Sequence, residues 1–222
     1  MPDENALQPV RSTGDQVHAL VKAALSVVPV VGGPAVELFQ YVVQPPLEKR
    51  RDEWMRSVGE KLEELSANGL DASTLQTNEQ FISAVMQASQ AALRTHSVLK
   101  LAALRNAIIN IASGKSPEET IQEILLSLVD QLSEMHLRVL KAFHSPEPPS
   151  GMSMGGLVDV LNHNIPSLRG QRELGNKIWT DLYTDGLVNT QNLNVTMSGN
   201  GLAERRTTDL GAALLNLISE QA

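Results

Sequence analysis

The chain has 222 residues, no cysteine and a net charge of −7. Lack of cysteine excludes disulfides, thiolate metal sites and a cysteine nucleophile; the negative balance, with neither half of the chain basic, opposes long-range attraction to nucleic acid and anionic lipid. Apolar residues make up 42 % and aromatic residues only 3 %, so the core must be mostly aliphatic, which suits packed helices in one large or two small domains.

Residues 1–12 read as a disordered polar tail, without the basic-then-apolar order of a secretory signal, and a cytoplasmic location is expected. Residues 19–43, ALVKAALSVVPVVGGPAVELFQYVV, form the most apolar stretch, with fourteen uncharged residues between Lys22 and Glu37. Val17, Leu20, Val21, Ala24, Leu25 and Val28 follow a helical period, with Thr13 and Gln16 as a capping box. Pro29, Gly32, Gly33 and Pro34 break the stretch, and Val36, Phe39 and Val43 mark a second helical arm. The predicted unit is an apolar hairpin with a Pro-Gly-Gly-Pro corner. A single membrane span needs about 20 apolar residues in one helix, which neither arm supplies. The hairpin is therefore either the core of a soluble bundle or a segment that enters a membrane on activation, with Leu25, Val28, Val30, Val31, Gly32, Gly33 and Phe39 as its candidate membrane residues.

Pro45-Pro46 should end the second arm, and a long helix should follow with Leu47, Trp54, Met55, Val58, Leu62 and Leu65 as its stripe and Gly69 as its stop. Lys49, Arg50 and Arg51 near its start are offset by Asp52 and Glu53, the pattern of a solvated face. A one-turn connector spans 70–75. Asn78 is positioned to cap the next helix, whose predicted core face is Phe81, Ile82, Val85, Met86 and Leu93. His96-Ser97 marks a break. The following helix carries Leu101, Leu104, Ile108 and Ile111 and closes at Gly114 in a left-handed cap. Ser116, Pro117 and Glu119 supply start signals for a helix burying Ile121, Ile124, Leu125, Leu128 and Leu132. Residues 13–130 thus make a helical bundle.

Ser133 caps the first helix of a second domain, 131–222. PEPPSGMSMGG reads as an irregular linker. A short helix is expected around 157–161, and a longer one at 171–184 buried through Leu174, Ile178, Trp179 and Leu182. Asp185-Gly186 turns into a segment with strand-like ends and a Gly/Asn-rich middle, and Thr207 or Thr208 caps the last helix.

The stretches SEMHLRVLKAF (133–143), DLYTDGLV (181–188) and RRTTDLGAALLNLI (205–218) resemble a winged helix-turn-helix domain of the MarR-like kind. The resemblance implies that 171–184 is the recognition helix, 188–205 the wing, and that the threonine-capped last helix packs back on the first. Its candidate nucleic-acid or partner surface is Arg172, Asn176, Lys177, Arg205 and Arg206. The whole chain, through VPVVGGP, PLEKRRDEW, ALRTH with LRNAI, and RTTDLG, resembles an uncharacterised group of bacterial proteins joining a helical bundle to a winged helix. Residues 15–130 resemble cell-death bundles of the HeLo and mixed-lineage-kinase-like type. There an apolar N-terminal segment is held in a bundle and permeabilises membrane on release.

No catalytic, cofactor or metal motif emerges. Gly114-Lys115-Ser116 follows a helix, not the strand that a phosphate-binding loop needs. The five histidines make no i, i+4 metal pair, and the serines lack a nucleophile-elbow context. The expected fold is mainly α, a helical bundle plus a winged-helix-like domain. The expected protein is not an enzyme but an interaction module that docks a protein partner or a second copy. A conditional membrane effector and a DNA-binding regulator are the alternatives. The uncharged segment from Asn189 to Ala203 disfavours the last, because DNA affinity depends on Lys and Arg at phosphates.

Overall fold

The computed structural model describes Leu38 and residues 41–220. The corner of the predicted hairpin and its seven candidate membrane residues lie outside this range. The architecture is mainly α, as expected, with one two-stranded sheet among the described residues. No helix among the described residues is long and apolar enough to cross a membrane. The chain forms two compact units. Of the described residues, the first takes those up to His96 and Ile108–Lys115, and the second takes Ser97–Ala107 and everything from Ser116 onward. Residues 116–130 fall in the second of these units.

In the first unit, α1 spans Gln44–Ala67. It begins with Pro45 and Pro46 in its first turn, where a missing N–H is no loss. The prolines therefore start this helix, and the chain breaks just before them, at a turn at Val43. Trp54, Met55, Val58 and Leu62 are buried, and the Trp54 indole donates to Ser89 Oγ at 3.0 Å. Lys49 pairs with Glu53 at 3.8 Å on the exposed face, and Arg51 with Asp52 at 3.5 Å. After the single-turn α2 (Ala72–Leu75), Asn78 caps α3 (Glu79–Arg94) by accepting from Phe81 N at 3.0 Å. The buried face of α3 is Phe81, Ala84, Val85, Ala88, Ser89, Ala91 and Ala92. Met86, expected in the core, is exposed. Alanines make up four of these seven buried residues, and Ser89 among them meets Trp54 of α1. The next helix, α4 (Val98–Ala112), ends at Gly114, whose φ of +68° is the left-handed cap expected.

In the second unit, Ser97 caps the start of α4 by accepting from Lys100 N at 3.3 Å and donates to Glu134 at 2.6 Å. Helix α5 (Glu119–Gln131) starts on Glu118, whose carboxylate accepts from Thr120 N; Ser116 and Pro117 precede the helix instead of opening it. Gln122, Leu125, Leu126, Leu128 and Val129 are its buried residues, while Ile121 and Ile124 are exposed against expectation. Ser133 caps α6 (Glu134–His144). The stretch read as a linker contains β1 (Met154–Gly156), which pairs antiparallel with β2 (Thr196–Ser198) in the register Met154↔Ser198. Between them lie α7 (Leu157–Asn164), a 3-10 turn at Pro166–Leu168 and α8 (Arg172–Thr184). Gly186, at φ +71°, ends α8 as Leu187 N reaches back to Leu182 O. Val188 then bridges Thr207, and Asn189 N donates to Arg206 O at 2.9 Å. The loop inside this bridge holds β2 and a four-residue helix, α9 (Gly199–Leu202). Thr208 caps α10 (Asp209–Ile218) by accepting from Gly211 N at 3.0 Å. Helix α6 is the centre of the unit: it packs on α7, α8 and α10, and its Leu137, Val139, Leu140 and Phe143 are buried.

Candidate functional site

The site is built where α7 turns into α8. Asp159 fixes the start of α7 by accepting from Gly156 N at 2.8 Å. The turn that follows is tied by its own side chains: Arg169 Nε donates to Asn162 O, and Gln171 Nε2 to Ser167 O. Beside it lies a concavity of about 390 Å³. Its apolar lining is Val158, Leu161, Leu168 and Leu193, and its polar lining is Asn162, Gln171, Arg172, Asn176 and Asn194. Gly175 also lines it; a Cβ there would meet Leu161 Cδ2 at 3.3 Å, so the glycine lets α8 lie close on α7.

Of the five residues nominated from the sequence, the structure brings Arg172 and Asn176 together on this concavity. Arg172 is exposed and has no ion-pair partner among the described residues. The other three nominated residues are engaged within the chain. Lys177 Nζ pairs with Asp181 Oδ1 one turn along α8. Arg205 pairs with Asp209 at 3.3 Å. Arg206 is only 7 % exposed. Its guanidinium donates to Gly201 O and reaches Glu204 Oε2 at 3.2 Å and Met197 Sδ at 3.3 Å. It braces the loop around α9 from inside and is withdrawn from the nominated surface. Asn162, Gln171 and Asn194 escaped sequence reasoning. They come from three separated segments, and the only local signal was the polar SLRGQ turn (167–171) opening α8.

A second polar array ties α6 to α8. Ser133 Oγ lies 2.7 Å from His136 Nδ1, and His136 Nε2 lies 3.2 Å from Asp181 Oδ2. The Lys177 ammonium beside Asp181 holds its carboxyl below the usual aspartate range; partial burial opposes this, and His136 adds to it. A depressed carboxylate pKa stabilises the fold fully above the unfolded value and loses that contribution as pH falls through the folded one. Asp181→Asn is expected to lower stability by about 1 kcal/mol at pH 7, a figure kept small because the group is partly solvated. In urea titrations the gap between the two proteins should close near pH 2; a gap of equal size at both pH values would show that the carboxylate charge is not what matters.

No protein-family model, curated protein or solved structure matches the chain.

Proposed function

We propose that the second unit is a non-enzymatic, winged-helix-type docking module that binds a protein partner, or a second copy of the chain, through the surface where α7 meets α8. The succession α6, β1, α7, α8, β2, α10 supports the winged-helix reading: a helix, a short strand, a helix-turn-helix pair, and an irregular segment whose strand returns to the first. The observation that carries the docking reading is the state of the cations. Lys177 and Arg205 are paired with carboxylates and Arg206 is buried, so this face has little positive charge to offer a phosphate backbone. DNA affinity comes largely from such charges, whereas protein interfaces combine an apolar centre, a polar rim and a few arginine anchors.

The test is site-specific photo-crosslinking in living cells. A benzophenone side chain at position 173 of the full chain, exposed and next to Arg172 but not in the lining, is expected to give one discrete protein adduct that Arg172→Glu removes. Duplex DNA should show no binding whose affinity falls steeply with salt. Salt-dependent DNA binding weakened by Arg172→Glu, with no protein adduct, would overturn the reading in favour of a DNA-binding regulator.

A further inference from the structure

We propose that the concavity between α7 and the start of α8 captures the carboxyl-terminal residue of the partner polypeptide, its aliphatic side chain on the leucine floor and its carboxylate on Arg172. This rests on the docking reading above and specifies the chemistry of the partner.

Three features of the lining converge on that ligand. The floor, Leu161, Leu168 and Leu193, is apolar and buried, and offers a favourable place to an aliphatic side chain. The rim carries the primary amides of Asn162, Asn176 and Asn194, none with a side-chain hydrogen bond among the described residues. Each such amide donates and accepts, which matches the N–H and C=O of an extended peptide. Arg172 is a cation without an internal carboxylate, while no acidic side chain lines the concavity. Glu173, the neighbouring acid, is not part of the lining: α8 contributes Arg172, Gly175 and Asn176, which share one side of the helix. The local field therefore favours an anion, although the chain as a whole is acidic.

Geometry selects a terminal carboxylate over an internal acidic residue. In an extended chain successive side chains point to opposite faces, so an internal aspartate and an adjacent aliphatic residue cannot both enter one hole. In a terminal residue the side chain and the carboxylate branch from the same Cα, and a single concavity holding an apolar floor and an arginine satisfies both. A guanidinium meets a carboxylate with two parallel hydrogen bonds, which adds direction to the charge. The volume, about 390 Å³, is at the lower end of ligand sites and suits one or two residues, not a helix.

The experiment uses the full chain and a panel of fluorescein-labelled hexapeptides, Gly-Ser-Gly-Ser-Asn followed by Ala, Val, Leu, Ile, Met or Phe. Each is made with a free terminal carboxylate and again as the terminal amide, and binding is read by fluorescence anisotropy. At least one aliphatic acid is expected to bind, about tenfold or more above its amide. Arg172→Gln should erase that preference without changing the circular dichroism spectrum, since the side chain is exposed, and Asn176→Ala should weaken acid and amide alike. Equal binding of acid and amide, or no binding across the panel, overturns the proposal. In either case a persistent crosslink at position 173 would leave the docking reading standing, whereas loss of the crosslink as well would remove both.

Discussion

Gly211→Ala is expected to destabilise the second unit by about 2–4 kcal/mol, although alanine is the better helix former by about 1 kcal/mol. Gly211 lies in the first turn of α10, against the turn that ends α8. A Cβ built on it would collide with Leu187 O and stand 3.1 Å from Leu187 C. These are backbone atoms, and they have nowhere to go. Leu187 is fully buried, its N–H is bonded to Leu182 O at 2.8 Å, and its carbonyl accepts from Thr208 N at 3.0 Å. Thr208 in turn donates from Oγ1 to Gly186 O at 2.6 Å while accepting from Gly211 N. The methyl group can be housed only by lifting α10, which would break these bonds and loosen the seats of Leu214 and Leu217, both buried. The comparison that isolates the clash is Ala213→Gly on the same helix, where propensity alone predicts a loss of about 1 kcal/mol. Urea unfolding of both variants decides the matter; a Gly211→Ala protein as stable as the parent would mean that α10 does not seat this closely.

The same contact shows what could be read from the chain and what could not. The Thr-Thr-Asp-Leu-Gly stretch announced a helix start, and Thr208 takes the cap. Asn78 and Ser133 cap where expected, and Gly114 and Gly186 stop helices where expected. All of these are local events, in which a side chain bonds an amide two or three residues away or a glycine takes a positive φ. Errors arose where a distant partner decides. Periodicity located the apolar side of α5 and α8 but not its width, so Ile121, Ile124 and Leu174 were placed in the core and stand in solvent. On α3 the face that packs is rich in alanine, which a search for large apolar residues overlooks. Ser116 and Glu118 are both competent caps, and the chain uses Glu118. Nothing in Met154-Gly155-Gly156 has strand propensity; it becomes a strand because Thr196–Ser198 arrives beside it.

The candidate site divides the same way. The pairing of Lys177 with Asp181 is an i, i+4 event on one helix and was visible in the spacing. The burial of Arg206 was not, because its acceptors include the carbonyl of Gly201 in a loop that folds back over it. The concavity itself draws Asn162 from α7, Gln171, Arg172 and Asn176 from the start of α8, and Asn194 from the loop before β2. No spacing rule joins three segments of this kind. Two of the five nominated residues line it, and what distinguishes Arg172 from the other cations is its lack of a carboxylate partner, a property of the fold and not of the residue type.

Trp179→Ala is expected to cost about 3–5 kcal/mol, enough to abolish a cooperative transition in the second unit. Trp179 is 1 % exposed, and its ring meets that of Phe143 edge to face, centroids 4.6 Å apart with an interplanar angle of 66°. Its indole N–H donates to Thr190 O at 2.9 Å. One side chain therefore joins α8 to α6 by ring packing and to the segment after α8 by a hydrogen bond. Trp179→Phe separates the two: it keeps an aromatic edge for Phe143 and removes the donor, and should cost about 1–2 kcal/mol, because Thr190 is only half-buried and water can replace the lost N–H. The consequence reaches the concavity. Trp179 stands one turn beyond Gly175 and Asn176 on the same side of α8, at spacings of four and three, so the indole sets the rotation of the helix about its axis and with it the position of the nominated side chains. If Trp179→Phe costs as much as Trp179→Ala in urea unfolding, the hydrogen bond to Thr190, and not the packing on Phe143, fixes that rotation.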